Sequence, residues 1–197
     1  MESCRIALGK VSGGYVTGFE FIFSLFGLLL GLALAEGLGG LSKAIKASNK
    51  VRIGWSTALL GVFVSCDVVT YWMYGWAFRD RLDLSWAVMF GGFVVTAVYY
   101  VSVSLIFPND PEEWRDLDAH FVQHRRKVLS GILFANAALY AATYALDLLP
   151  EFNLRNAILS WSFFPVTALA IAANSRKIIV ACLTWLIALY PLSAAWS

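Results

Sequence analysis

Long apolar stretches separated by short polar ones dominate the pattern of this chain. A helix that spans a membrane needs roughly 20 predominantly apolar residues, and six stretches meet or approach that length. No linker rich in Ser or Pro interrupts the series, although the fifth stretch contains Pro165, which predicts a bend in that helix. The pattern therefore predicts an all-α integral membrane protein, in which residues 1–197 form one polytopic domain with a six-transmembrane-helix bundle. The predicted spans are, approximately, residues 17–41, 53–77, 84–107, 128–149, 157–174 and 178–196.

The longest polar stretch between predicted spans, residues 107–127, has the features of a helix start. Asp110 can accept hydrogen bonds from free backbone N–H groups, Pro111 fits the first helical position, and Glu113 completes a capping box. The apolar residues that follow recur at helical spacing. We therefore expect a short amphipathic cytoplasmic helix at about residues 111–127, which lies at the membrane surface or continues into the fourth span. Its apolar stripe consists of Trp114, Leu117, Phe121 and Val128.

Lys and Arg residues are distributed unevenly among the polar segments, which predicts the orientation of the chain. Short cytoplasmic loops carry an excess of these residues. The segments after spans one, three and five contain ten of them, and the segments on the opposite side contain five. We therefore expect a plasma (inner) membrane protein with both termini on the non-cytoplasmic side. An interfacial aromatic belt at that boundary would consist of Trp72, Trp76, Trp86, Tyr190 and Trp196.

The first 35 residues also have features of a secretory signal peptide. Arg5 and Lys10 precede an apolar run, and residues 33–35 (Ala-Leu-Ala) match the small residues before a cleavage site. Glu20 interrupts that run, however, and the run is long enough to span a membrane. We interpret it as a first transmembrane helix that stays in the protein.

The composition is consistent with lipid as the solvent of these helices. Hydrophobic residues make up 59% of the chain and charged residues 14%, whereas soluble domains average about 45–50% and about 25%. A globule of this size cannot bury such a surplus of apolar surface, so we expect the lipid bilayer to be the main partner. The net charge of +2 is too small to indicate nucleic-acid binding.

Asp67 is the ionisable residue that the pattern places closest to the middle of the membrane. It lies about 14 residues into the second span, roughly 20 Å from the cytoplasmic end of that helix. Ionisable residues at such depth are costly to bury and commonly functional. We expect Asp67 to be a proton or cation site that is protonated at rest, or ionised only when a cation or a file of water molecules occupies the site. The predicted transport path consists of Asp67, Thr70, Tyr71, Asn136, Tyr140, Thr143 and Glu36.

The same polar side chains have a purely structural alternative. In that alternative, Asp67 and Asn136 pair in a dry core and hold the second and fourth helices together, as interhelical hydrogen bonds do. Under either interpretation, a buried Asp67 needs neutral partners, because no Lys or Arg is predicted at its depth. The expected partners are Thr70, Tyr71, Asn136 and Tyr140.

Small residues recur at every fourth position in part of the first span. Such a ridge lets the backbone of another helix approach closely. We expect this helix to pack through the ridge, either within the chain or against a second copy. Because six short spans leave little room for a water-filled path inside a single copy of the chain, we also expect a homo-oligomer. The small-residue ridge consists of Gly27, Gly31, Ala35 and Gly39.

Both histidines of the chain lie in the 107–127 stretch. Asp116, His120 and His124 are spaced by four residues, which puts them along one side of a helix, as the ligands of a divalent metal or a pH-sensing group would be. The alternative is that they are solvated partners one turn apart. No further strong ligand is evident nearby, so we interpret the stretch mainly as a cap of the bundle.

The sequence contains no recognisable catalytic motif, so we expect neither an enzyme nor a cofactor. The predicted spans contain no histidine that could bind haem or act as a base, and no lysine that could anchor a Schiff base. The sequence favours a channel or transporter for protons, cations or a small polar solute. The alternative is a non-enzymatic membrane subunit, scaffold or sensor that binds a cytoplasmic protein partner through residues 108–127.

Overall fold

The computed structural model describes residues 18–114, 116–149, 151 and 153–196. These residues form an all-helical fold with six helices that are long and apolar enough to cross a membrane. The all-α prediction and the predicted number of long apolar helices are confirmed. The six helices are α1 (Gly18–Lys46), α2 (Trp55–Ala77), α3 (Trp86–Ser104), α4 (Leu117–Ala145), α5 (Leu154–Ala172) and α6 (Arg176–Ala195).

Short connections make helices that are neighbours in sequence run in opposite directions. At one end of the bundle the segments before α2 and α4 meet, and the backbone N–H of Leu117 donates to the carbonyl of Arg52 at 3.1 Å. At the other end, the Arg155 side chain donates to the carbonyl of Trp196 at 2.7 Å. We call the first end the Asp118 end and the second the Arg155 end. The start of α1 and the end of α6 both lie at the Arg155 end.

Helix α2 lies at the centre of the bundle. In the most apolar 18-residue stretch of α2, 50% of the residues are buried, whereas the buried share of the corresponding stretch in each of the other five long helices is at most 28%. Helix α1 packs on α2 and α3, whereas α5 packs on α4 and α6. Large apolar side chains cover the outside, such as Leu28 (63% exposed) and Met73 (70% exposed). An exterior of this kind is suited to contact with lipid.

The predicted helix at residues 111–127 is wrong as a separate element. Asp110 caps only the single 3₁₀ turn Pro111–Glu113. Helix α4 then starts at Leu117 and runs without a break through the fourth predicted span, which confirms the expected continuation. Asp116 is its N-cap and accepts from the backbone N–H two residues later at 2.9 Å. Each of the two aspartates therefore caps a different element, and Asp116 is the cap of the long helix.

Helices α5 and α6 each contain a backbone irregularity towards the Arg155 end. In α5, residues Ala157–Trp161 form a π-helical turn, and the N–H of Ser162 donates to the carbonyl of Ala157 at 3.1 Å. This wider turn ends at Trp161, four residues before Pro165, and the carbonyl at that spacing is the one that a proline ring would clash with in a regular helix. Helix α6 contains Pro191, which has no N–H and leaves a gap in the ladder of helical hydrogen bonds.

Candidate functional site

Asp67 lies in the middle of α2, and only 2% of the residue is exposed. The hydroxyl of Tyr99 and the side-chain amide of Asn136 both donate to Asp67 Oδ2, each at 3.0 Å. The hydroxyl of Tyr190 donates to Asp67 Oδ1 at 3.2 Å. These donors come from α3, α4 and α6, so four helices meet at one carboxylate.

The donors around Asp67 are neutral, and they match the needs of a charged carboxylate. An ionised Asp side chain only accepts hydrogen bonds, at about four lone-pair sites. Tyr99, Asn136 and Tyr190 use three of them, and none of the ion pairs among the described residues includes Asp67. One acceptor site, on Oδ1, is left for a ligand.

Further contacts hold two of these donors in position. The Asn136 amide also donates to the carbonyl of Ile132 at 3.1 Å. The Tyr99 hydroxyl lies 3.3 Å from the carbonyl of Val64, and its ring packs against that of Tyr71 with centroids 5.0 Å apart. Because the donors are fixed by the surrounding helices, the carboxylate is surrounded by a preorganised set of dipoles.

A polar cavity of about 330 Å³ extends from Asp67 to the Arg155 end of the bundle. Helices α2, α4, α5 and α6 form its walls, and the π-helical turn of α5 contributes Leu159 and Ser160. Ligand pockets in proteins are commonly of this size. The polar residues that line the cavity are Asp67, Thr70, Tyr74, Asn136, Tyr140, Arg155, Asn156, Ser160, Tyr190 and Ser193.

Arg155 places a positive charge at the mouth of the polar cavity. Its Nε donates to the carbonyl of Trp196 at 2.7 Å, and a terminal nitrogen donates to the carbonyl of Ser193 at 3.5 Å. Both carbonyls lie at the C-terminal end of α6, where the helix dipole favours a cation. Arg155 is therefore fixed by the end of α6.

Towards the Asp118 end, an apolar layer closes the polar cavity. Phe63 lies one helical turn from Asp67 on that side, and its ring contacts that of Tyr190 with centroids 6.5 Å apart. The residues of this layer come from α2, α4 and α6 and are completely buried. Access to Asp67 is therefore from the Arg155 end. The layer consists of Leu60, Phe63, Leu129, Ile132, Leu183 and Leu186.

The predicted path residues have different surroundings in the structure. Thr70 and Tyr140 line the polar cavity. Thr143 is buried and donates to the carbonyl of Tyr140 at 2.7 Å. Tyr71 lines a second cavity and makes no hydrogen bond to Asp67 among the described contacts. Glu36 is exposed on α1, a helix that contributes nothing to the lining of the polar cavity.

Tyr190, Arg155 and Tyr99 are among the residues of this site that sequence reasoning does not identify. It assigns Tyr190 to an interfacial belt, which is wrong because the Tyr190 hydroxyl bonds Asp67 inside the bundle. It treats Arg155 only as a loop charge and gives Tyr99 no role. A tyrosine within an apolar span is nevertheless a usable signal, because its hydroxyl needs a partner when it is buried.

The small-residue ridge is mostly not covered by the chain itself. A Cβ added at Gly27 would contact Trp72 at 3.4 Å, whereas one added at Gly31 or Gly39 would meet nothing within 4 Å. Close packing of α1 occurs instead at Gly40, where an added Cβ would overlap a side chain of the segment after α3. Within the described chain, the ridge therefore forms a close helix contact only near Gly27.

A charged junction lies at the Asp118 end. Asp118 of α4 is 4% exposed and accepts from the N–H and the hydroxyl of Thr57 in α2, both at 3.2 Å. It also forms an ion pair with Arg176 of α6. Gly54 leaves room for this carboxylate, because an added Cβ would overlap it. The junction joins α2, α4 and α6.

The two histidines lie beside this junction, near the start of α4. The rings of His120 and His124 are stacked with centroids 4.2 Å apart, and His124 Nδ1 lies 3.1 Å from the carbonyl of His120. Asp116, the third predicted ligand, is the N-cap of α4. Among the described residues, no group of three or more His, Cys, Asp or Glu side chains is arranged to hold a metal ion.

The polar cavity thus combines a buried carboxylate, neutral donors from three other helices and access from one end of the bundle. This arrangement can bind a small solute that donates hydrogen bonds, because the remaining site on Asp67 can only accept them. Comparison of the chain with protein-family models, with curated proteins and with solved structures finds no match.

Proposed function

We propose that this chain is a membrane transporter that binds a small polar solute or cation at Asp67, from the Arg155 end. The observation that supports this most directly is the polar cavity of about 330 Å³ that ends at a buried carboxylate. The ligand carries a hydrogen-bond donor, such as a protonated amine, because the remaining site on Oδ1 accepts. The aromatic rings of Tyr74 and Tyr140 along the cavity also suit a cation.

Alternating access fits this geometry better than an open channel. The buried apolar layer around Phe63 interrupts any polar path from Asp67 to the Asp118 end. The π-helical turn of α5 and Pro191 of α6 lie in the two helices that form one side of the cavity. Helices bend at such irregularities, and interrupted helices beside a mid-membrane site are common in transporters. Movement of α5 and α6 against α2 and α4 would expose Asp67 to the Asp118 end.

The distribution of Lys and Arg predicts the side of the membrane from which solute enters the polar cavity. The Asp118 end carries the richer loops and is the cytoplasmic end under the positive-inside rule. The Arg155 end then faces the non-cytoplasmic side of a plasma (inner) membrane. In this conformation the polar cavity is open to solute from outside the cell.

Asp67→Asn tests the proposal in liposomes that contain the purified protein. Uptake of protons and of a panel of small amines would be measured as charge movement and as tracer accumulation. We expect the variant to keep the fold, because an amide has nearly the same volume. Uptake should fall roughly 10- to 100-fold, since the variant loses a hydrogen bond to a charged group. Asp83→Asn changes an exposed carboxylate in the connection between α2 and α3 and should keep wild-type uptake.

The non-enzymatic subunit remains the second candidate function, and one contact favours it: Asp67 and Asn136 are paired directly at 3.0 Å. If that pairing is the whole role of Asp67, the wild-type protein moves none of these solutes. Asp67→Leu then lowers the unfolding temperature, whereas Asp67→Asn has little effect. Wild-type uptake that persists in Asp67→Asn would remove Asp67 from the transport mechanism.

A further inference from the structure

The polar cavity has side chains of opposite charge at its two ends. Asp67 lies at the closed inner end and Arg155 at the mouth, and both residues line the cavity. None of the ion pairs among the described residues includes either of them. Both charges are therefore available to a molecule that enters from the Arg155 end.

Arg155 keeps hydrogen-bond donors that the protein does not use. A guanidinium has five N–H donors, and the described contacts of Arg155 use Nε and one terminal nitrogen, on the carbonyls of Trp196 and Ser193. The other terminal nitrogen has no partner among the described hydrogen bonds, and it is not among the buried polar atoms, so it is accessible. Ser193 also lines the polar cavity, which places the guanidinium against the cavity wall.

The charge of Arg155 selects among ligands that could bind Asp67. The carbonyls that hold Arg155 are neutral, so they orient its charge without cancelling it. A ligand with only a positive charge has to pass this guanidinium, and repulsion opposes its entry. A carboxylate on the same ligand reverses that effect, because Arg forms strong charge-assisted hydrogen bonds with carboxylates. A ligand with one positive and one negative group therefore suits both ends of the cavity.

Helix α6 gives a measure of the distance between the two charges. The Tyr190 hydroxyl bonds Asp67, and the carbonyl of Trp196 bonds Arg155. Tyr190 and Trp196 are six positions apart, which is about 9 Å along a helix, and a tyrosine side chain points back towards the helix N-terminus, so Asp67 lies deeper still. Hydrogen bonds of about 2.9 Å at each end leave about 3 Å or more between the ammonium nitrogen and the carboxylate oxygen of a ligand. A small amino acid meets this requirement.

We propose that the ligand of the polar cavity is a short-chain amino acid, whose ammonium group donates to Asp67 Oδ1 and whose carboxylate accepts from Arg155. This inference rests on the proposed binding of a solute at Asp67 and specifies the second charged group of that solute. Tyr74 and Tyr140 also line the cavity. They follow Asp67 and Asn136 along α2 and α4 in the direction of the mouth, where their rings can pack against the chain that joins the two charged groups.

The test compares matched probes by isothermal titration calorimetry, with the purified protein in lipid discs. The probe γ-aminobutyrate carries both charged groups, γ-aminobutyramide has a neutral amide in place of the carboxylate, and butyrate lacks the ammonium group. We expect γ-aminobutyrate to bind about 10- to 100-fold more tightly than either of the other two, which is the value of one hydrogen bond to a charged group. Glycine and β-alanine, each compared with its amide, extend the series to shorter separations.

Three variants assign the preference to Arg155. In Arg155→Gln the amino acid and its amide should bind within about threefold of each other, because the carboxylate loses its charged partner and the ammonium group loses a repulsive one. Arg155→Lys keeps the charge and should keep part of the preference. Arg79→Gln is the matched control and should keep all of it, since Arg79 also donates to a backbone carbonyl at the Arg155 end but lies outside the cavity.

The wild-type comparison does not depend on any variant. If every amide binds as tightly as its amino acid, this inference is wrong, and the proposed function stands provided that Asp67→Asn weakens amide binding. A preference for the amino acid that survives in Arg155→Gln would also overturn it. If none of the probes binds, the inference fails, and the uptake of protons and of other solutes decides the proposed function separately.

Discussion

At the scale of single residues, Asp147 determines where α4 ends. Its φ of 55° is left-handed, and Asp147 is the one non-glycine residue with a positive φ in the part of the chain that the structure describes. The N–H of Leu148 donates to the carbonyl of Thr143 at 2.9 Å, and the N–H of Asp147 donates to that of Tyr144 at 3.2 Å. This is the Schellman arrangement of a helix C-terminus. It ends α4 at Ala145, although the apolar pattern continues beyond it.

Asp147→Gly should stabilise the protein by about 0.5–1 kcal/mol, because glycine adopts the left-handed conformation without steric cost. The gain would be measured as a higher midpoint of unfolding in detergent. Asp83→Gly serves as the control, since Asp83 is exposed and has no positive φ. Equal shifts in the two variants would show that the left-handed conformation of Asp147 carries no strain.

The candidate site could be predicted in part from single residues. Asp67 and Asn136 stand out because polar side chains are rare in apolar spans, and the structure brings them into direct contact. Tyr99 and Tyr190 could not be assigned, since periodicity shows which residues of one helix share a face but not which faces of different helices meet. Tyr71 illustrates the limit: its spacing places it beside Asp67, yet it lines the other cavity.

At the scale of elements, the start of α2 is capped by another helix. Gly54 occupies the N-cap position and has no side chain to accept a hydrogen bond. The N–H of Thr57 donates instead to the carboxylate of Asp118, which lies in α4. A negative charge there also suits the dipole of α2. The sequence does not predict this cap, because it depends on a contact between segments about 60 residues apart.

Gly54→Ala should destabilise the protein by about 1–3 kcal/mol, because its Cβ would displace the Asp118 carboxylate. Gly39→Ala, where an added Cβ meets nothing within 4 Å, should be neutral or stabilising, as alanine favours a helix. Unfolding midpoints would be compared in one detergent. Adding Gly54→Ala to Asp118→Ala should cost little more than Asp118→Ala alone. A full additional loss would mean that Gly54 acts independently of Asp118.

At the scale of the whole molecule, the arrangement of six antiparallel helices puts the start of α1 and the end of α6 at the same end. Composition and apolar periodicity were enough to predict this all-helical architecture, because each span is recognisable on its own. The side of the membrane that this end faces depends on the Lys and Arg distribution instead. Orientation is therefore the part of the architecture that most needs a direct measurement.

Single cysteines in a background without Cys4, Cys66 and Cys182 would measure the orientation. Asp80 and Asn109 are both exposed and lie at opposite ends of the bundle. In intact cells, a membrane-impermeant maleimide should label Asp80→Cys, whereas Asn109→Cys should react only after permeabilisation. The opposite result would place the Arg155 end in the cytoplasm and reverse the side from which the polar cavity opens.

The shared wall between the two cavities has a thermodynamic consequence. Leu139 lines both of them, and Tyr71, which lines the second cavity, packs against Tyr99, which donates to Asp67 in the polar cavity. If a molecule in the second cavity changes the affinity for a ligand at Asp67 by some factor, linkage requires that the ligand at Asp67 change the affinity for that molecule by the same factor.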